Sequence, residues 1–351
     1  MIKATDAPEP HVVSSRKLGL ELEVDVGYNG EDDKIPDNIS GWTAKGDCSL
    51  SKGTEFVFDR PVLAETAIER IKAFCSAMVD LNVHQKGGYH VHVQGHDYSL
   101  LDCWHLAMLY SKCRSAINQL VAKSRTNNHF CNAIPSGWLT SSDSFIRETR
   151  LGSQSASSRV TAKQWANRYY VVNFNMMACS CETQRSIEFR QGSISKRFGP
   201  IWGWAAFVLA LTEAAKCHTD IEALPAMANL DDLKQVLANY EARSGSTNLV
   251  EWVTWRVAYL NPQITDDDRT AAIACLSQNA LGLYGLSRAM DINLSATQVL
   301  LNDLKEKDLV RAVGNAYRPK VAKTVCYRDE LESLIRAYPV EEPILANQAT
   351  G

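Results

Sequence analysis

The chain has 351 residues, 45% of them hydrophobic, with 37 Lys and Arg against 40 Asp and Glu and a formal net charge of −3. That length suits one large domain with a small one, and the balanced charge removes any global electrostatic case for a nucleic-acid or membrane partner, so partners must be argued locally. Ten cysteines without zinc-ribbon spacing, and an N-terminus without an apolar signal stretch, fit reduced thiols in a cytoplasmic protein.

In chain order, Arg16–Gly27 reads as a strand because Leu20, Leu22 and Val24 alternate with Glu21 and Glu23. Glu55–Phe58 reads as a second strand and Gly88–Gly95 as a third, with His90 and His92 on one side. Helical spacing of apolar residues predicts Ala64–Leu81 and Leu100–Val121. Thr140–Lys163 is Ser-rich and carries Arg147, Arg150, Arg159 and Lys163, the composition of a surface loop that is either a disordered insertion or a substrate-covering lid. Two further strands, Tyr169–Asn175 and Arg185–Gln191, follow as a hairpin across Ala178–Gln184, the second placing Glu188 and Arg190 on one side. Helices near Pro200–Cys217, Leu230–Tyr240 and Leu249–Tyr259 close this domain; around Ile201–Leu211 the apolar run is too short for a bilayer and reads as a buried core helix.

Two-residue spacings in three distant segments put carboxylates, imidazoles and a guanidinium on one sheet face. Hard oxygen ligands such as Glu21, Glu23, Glu55 and Glu188 suit magnesium or manganese rather than structural zinc, and His90 is compatible with either. Arg190 beside Glu188, with Arg168 upstream, supplies forked donors for phosphate oxygens, and metal plus arginine suggests phosphoryl transfer from a nucleotide. The chain has no phosphate-binding Gly-x-x-x-x-Gly-Lys loop and no protein-kinase motif set. Taken singly, Glu21 and Glu23 would line a solvent face, His90 and His92 would be surface histidines or a zinc pair, and Glu188 and Arg190 would be a surface ion pair. Asp47 and Ser49 are either turn residues or substrate contacts.

The ordered set Gly-Leu-Glu-Leu-Glu (19–23), Asp-Cys-Ser-Leu then Glu-Phe-Val (47–57), Gly-Gly-Tyr-His-Val-His-Val (87–93), Arg-Tyr with Asn173 (168–173) and Ser-Ile-Glu-Phe-Arg-Gln-Gly-Ser (186–193) resembles the amidoligase family. That family is a divergent branch of the carboxylate–amine ligases with the glutamine synthetase fold. The resemblance implies an α+β fold, a glutamine synthetase-like antiparallel sheet core with helices on one face, over residues 1–262. It also implies an ATP-dependent ligase that joins a carboxylate to an amine through an acyl phosphate. By that resemblance Glu21, Glu23, Glu55, His90 and Glu188 hold Mg2+ or Mn2+ around ATP, and His92 lies nearer the substrate. Arg190 contacts the transferring phosphoryl group, Arg168 orients phosphate or the carboxyl substrate, and Asn173 joins the nucleotide-binding set.

Residues 263–325 resemble a small winged-helix domain. Helices over Asp266–Asn279, Leu281–Asp291 and Leu294–Leu309 precede a hairpin turning at Gly314-Asn315, with Ser295 as the N-cap of the third helix and a C-terminal helix and tail over 326–351. Arg311, Arg318, Lys320 and Lys323 suit phosphate contacts, whereas Asp303, Glu306 and Asp308 disfavour a nucleic-acid groove. The alternative function is therefore a catalytically silent, ligase-like regulator that binds DNA or protein through this domain; a homo-oligomer fits either reading.

Overall fold

The computed structural model describes residues 3–25, 36, 38–47, 53–79, 87–126, 128–139, 169–179, 181–278, 280–313 and 316–319. The Ser-rich segment 140–163, Arg168, Cys48, Ser49 and the tail 326–351 lie outside them. The chain forms two compact units, Ala4–Leu260 and a second built from Asn261–Gly351 with Met1–Lys3.

In the first unit β1 (Leu18–Asp25), β2 (Trp42–Asp47), β3 (Gly53–Phe58), β4 (Gly88–Gln94), β5 (Val172–Asn173) and β6 (Ser186–Ser193) form one six-stranded sheet in the order β2-β3-β1-β4-β6-β5. Every pairing is antiparallel. The alternation read from the sequence sets the two faces. Leu18, Leu20, Leu22 and Val24 of β1, with Phe56, Tyr89, Val91, Val93, Ile187 and Phe189, are fully buried on one face. Each contributes roughly 1.5–3 kcal/mol from removal of apolar surface from water.

The helices of this unit are α1 (Ala64–Ala77), α2 (Leu100–Lys112), the single turn α3 (Arg114–Ile117), α4 (Phe198–Ala214), α5 (His218–Ala223), α6 (Leu230–Ser244) and α7 (Leu249–Leu260), and α1, α2 and α4 pack on that apolar face. Phe74 of α1 packs its ring 5.5 Å from Phe56 and 5.2 Å from Trp42. Tyr110 of α2 lies 6.0 Å from Phe189, and Tyr89 donates its hydroxyl to the Ile201 carbonyl of α4 at 3.1 Å. The sequence expectation of a core helix holds: α4 is buried along nearly its whole length, apolar all round because it lies between the sheet and the helical pair α6 and α7. No described helix is long and apolar enough to cross a membrane.

Three expectations change. Leu100–Val121 is not one helix: it breaks at Cys113 into α2, α3 and a 3-10 turn, Asn118–Leu120. The side chain of Lys112 turns away to donate to the carbonyls of Ile221 and Leu224 at 3.1 and 2.7 Å, and its own carbonyl accepts from Ala228. β2 was not foreseen, since Trp-Thr-Ala-Lys-Gly-Asp has little β-branched content; pairing with β3 makes the strand. The strand foreseen over Tyr169–Asn175 shrinks to the two residues of β5, and 3-10 turns at Asn175–Ala178 and Glu182–Gln184 connect it to β6.

A buried arginine ties the N-terminal segment to the strand ends. Arg16 is 3% exposed and forks onto Asp97 at 2.5 and 3.0 Å, with Glu213 3.0 Å from its Nε. Burial works to raise the Asp97 carboxyl, and hydrogen bonds from Arg16 and Lys216 outweigh it, holding it well below the ordinary value of 3.8. A depressed folded value stabilises above the unfolded value, and the gain disappears as pH falls through the folded one. Asp97→Asn is therefore expected to be less stable than the parent by a constant margin above about pH 5, the margin in urea melts shrinking progressively below that and closing only well below about pH 3. A margin that stays constant at low pH would assign the effect to another group.

In the second unit α8 (Asp266–Gln278), α9 (Leu283–Met290) and α10 (Leu294–Glu306) precede an antiparallel ribbon, β7 (Val310–Val313) with β8 (Ala316–Pro319). Leu276, Leu286, Ile292, Leu300 and Leu304 form its core. The N-cap of α10 is Asn293, not Ser295: the Asn293 side-chain oxygen accepts the third helical N–H, from Ala296, at 2.7 Å. Asp303 is held in a forked ion pair by Arg269, at 2.6 and 3.1 Å. The Gly314-Asn315 turn, Lys320, Lys323 and the Arg318 side chain lie outside the described residues.

Candidate metal centre

On the face opposite the apolar one, register decides which functional groups meet. Glu21 of β1 stands directly opposite His90 of β4, and His92 stands opposite Glu188 of β6. One diagonal therefore carries Glu21, His90 and Glu188, and one ligand atom from each lies within 4.8 Å of the others. That is about twice a metal–oxygen bond of roughly 2.0–2.6 Å. His90 Nδ1 is 3.2 Å from Glu21 Oε2 and 3.7 Å from Glu188 Oε1, while its Nε2 is 3.7 Å from Glu23 Oε1.

Glu23 faces Glu55 across the β1–β3 pair. Like charges directly opposite one another are destabilising unless a counter-ion neutralises them. Glu55 thus lies one strand out from the trio, on the flank where the sequence placed it among the ligands, and the closest cluster is Glu21, His90 and Glu188. His92 Nε2 sits 3.2 Å from Glu21 Oε1, in ion-pair range but off hydrogen-bonding direction, and is buried without another partner.

Two glycines make room for the carboxylates. A Cβ on Gly87 would lie 1.8 Å from the Glu23 carbonyl oxygen, and one on Gly88 would lie 2.6 Å from Glu23 Oε2. In their absence the Gly88 N–H donates to Glu23 Oε2 at 2.5 Å. The Gly-Gly pair before the histidines is thus a spatial requirement of β1.

Glu188 is held from two sides. Arg190 donates Nη1 to its Oε1, and Asn173 donates Nδ2 to its Oε2 at 2.7 Å. Asn173, expected among nucleotide contacts, also accepts the Asn175 N–H at 2.9 Å through its Oδ1, so here it orients Glu188. Arg190 is aimed by a bulge, because β6 sets two residues, Arg190 and Gln191, against His90 alone. The Arg190 carbonyl accepts from Arg125 Nη2 at 2.6 Å and from the Cys131 thiol at 3.3 Å. The Gln191 amide receives the Tyr110 hydroxyl and donates to Asn118 Oδ1 and the Arg125 carbonyl. Arg125, Asn118 and Cys131 were not anticipated. They come from irregular turns, and no periodicity marks them.

Burial and charge pull the titrations apart. Burial alone would raise the Glu21 carboxyl, but the contacts and charges of His90 and His92 outweigh it and hold it well below the carboxylate range. His92 moves the other way: burial would lower it, and the contact with Glu21 and the charges of Glu21 and Glu188 keep it above its ordinary value. Glu21, Glu23 and Glu188 are thus crowded on a face whose imidazoles and Arg190 already lean on them. A donor set of two carboxylates and one imidazole, Glu21, Glu188 and His90, fits a hard divalent ion better than a thiolate-seeking one.

No family model matches the chain, and no curated protein matches it. Among solved structures, one described as a novel glutamine synthase homolog is similar at 14% identity, covering 72% of this chain and 69% of that one, with a TM-score of 0.32. That is a loose likeness.

Proposed function

We propose that the first unit is an ATP-dependent carboxylate–amine ligase of glutamine synthetase-like fold that forms an amide or isopeptide bond through an acyl phosphate. The observation that carries this reading is the convergence of Glu21, His90 and Glu188 within 4.8 Å, with Arg190 hydrogen-bonded to Glu188 on the same face. Glu21, Glu23, Glu55, His90 and Glu188 would hold Mg2+ or Mn2+. Such ions, when bound, supply charge neutralisation for transferring phosphoryl oxygens.

The chain's own groups do the remaining work. Arg190, planar and permanently charged, offers a forked donor to phosphate oxygens, and the clamp on its carbonyl fixes its position before any ligand arrives. Asn173 and Arg190 keep the Glu188 carboxylate in one orientation. His92, its side chain 24% exposed and its Nε2 turned toward Glu21, would lie on the substrate side of the ions. Arg168 completes the proposed set, orienting phosphate or the carboxyl substrate. The carboxylate oxygen takes the terminal phosphoryl group as ADP leaves; the amine nitrogen then bonds to the carbonyl carbon as its C–O bond to phosphate breaks, and the proton lost by the amine passes to the departing phosphate or to solvent.

The test is to incubate purified protein with ATP, Mg2+ or Mn2+, and mixtures of carboxylic acids and amines, following ADP, phosphate and amide together. Release of all three in equal amounts, abolished by a chelator, supports the ligase. A protein that binds neither ion nor nucleotide would end the reading.

A further inference from the structure

Beside the carboxylate face, at the β5 and β6 end of the sheet, lies a group of rings that the proposed chemistry does not use. His129 and Phe130 sit in the turn after the Lys123–Arg125 3-10 helix, and Tyr169 leads into β5. Their centroids are 5.3 Å apart for His129 and Phe130, 4.9 Å for His129 and Tyr169, and 5.6 Å for Phe130 and Tyr169. Phe130 is 47% exposed, although a phenyl ring is ordinarily drawn into a core.

The turn that presents it is tied down. Asn128 accepts the Phe130 N–H through Oδ1 at 2.7 Å and donates Nδ2 to the Ser124 carbonyl at 2.5 Å. Asn132 donates its side-chain amide to the His129 carbonyl at 3.0 Å, and its backbone N–H to the Tyr169 carbonyl at 2.7 Å. An exposed ring on a turn fixed at both ends is preorganised for contact.

Arg190 joins these rings to the carboxylates. Its guanidinium lies 5.8 Å from the Tyr169 ring centre and its Nε donates to the Phe130 carbonyl at 3.3 Å, while Nη1 reaches Glu188. The Phe130 ring stands edge-on to His129 and Tyr169, at 76° and 80°, and from this ring group the cation and then the acidic cluster follow one another toward the middle of the sheet. That is the sequence of chemistries along a nucleotide: a flat heteroaromatic base, then phosphates, then the ions that neutralise them.

We propose that His129, Phe130 and Tyr169 form the stacking subsite for the base of the nucleotide, with Phe130 as its exposed face. This rests on the nucleotide reading above and adds where the base lies. Stacking is tolerant of base identity, so the subsite selects a ring over no ring more strongly than one purine over another.

The experiment compares binding of ATP and of inorganic tripolyphosphate, each with Mn2+, by calorimetry to the full chain and to Phe130→Ala and Phe130→Trp. The parent is expected to prefer ATP by about tenfold or more. Phe130→Ala should lose about tenfold in ATP affinity with tripolyphosphate unchanged, and Phe130→Trp should keep the preference. Because Phe130 is half exposed, the variants should melt with the parent, and a melting check excludes misfolding. An intact preference for ATP in Phe130→Ala places the base elsewhere and rejects the platform while leaving the ligase reading standing. Equal affinity for ATP and tripolyphosphate in the parent rejects any base subsite. Binding of neither ligand overturns the nucleotide reading and the platform with it.

Discussion

Glu188→Gln is expected to lose Mn2+ affinity by at least about tenfold and nucleotide turnover by roughly 10²–10³. The substitution keeps the shape of the side chain and leaves one amide oxygen to accept from Arg190, but removes the charge that the cluster would contribute to an ion. Glu188 stands opposite His92, within 3.7 Å of His90, and is bonded to Arg190 and Asn173. Arg190 is 6% exposed and loses its charged partner, so some stability should go as well, a few degrees in melting temperature. The two effects separate: Mn2+ titrated into folded protein at low temperature reads the site, and thermal melting reads the pair. Parent-like Mn2+ affinity and turnover would reduce Glu188 to a structural partner of Arg190.

Gly87→Ala is expected to destabilise the first unit by about 3 kcal/mol and to weaken metal binding at the same time. The added Cβ would fall 1.8 Å from the Glu23 carbonyl oxygen, a backbone atom that cannot swing aside as a side chain would. Relief requires β1 and β4 to part near Glu23, which draws the Glu23 carboxylate off the Gly88 N–H and away from His90. Urea unfolding measures the first effect and Mn2+ titration the second. Parent-like stability would show that the glycine pair answers to something other than this close approach.

How much of this was legible in the sequence depends on whether a residue sits in a periodic segment. β1, β4 and β6 showed themselves because buried and functional residues alternate, so Glu21 with Glu23, His90 with His92, and Glu188 with Arg190 each fall on a shared side. The shared alternation, with the resemblance of the ordered motifs, led to the expectation that these strands meet. Register was beyond reach, and register separates Glu55 from the central trio by pairing it with Glu23. β2 was missed because an edge strand with Lys45 and Gly46 has no apolar alternation to detect. The support of the site was also invisible. The sequence reads Asn173 as a nucleotide contact but does not show its hydrogen bond to Glu188, and Arg125 and Cys131 reach the Arg190 carbonyl from turns 65 and 59 residues away in the chain. Such contacts are made by tertiary packing of irregular backbone, which leaves no spacing rule behind. In the second unit the three helices and the ribbon fell close to expectation, and only the cap moved, because the helix already begins at Leu294 and the Asn293 side chain takes the Ala296 N–H.

The sharing of Glu188 Oε1 between Arg190 and the neighbourhood of His90 has a thermodynamic corollary. Any anion that attracts the guanidinium leaves that oxygen open to a cation, and any cation that takes the oxygen sets the guanidinium loose for an anion. Each guest thus sharpens the other's affinity by the same factor, so a polyanion and a divalent ion would enter as cooperating visitors even without touching one another.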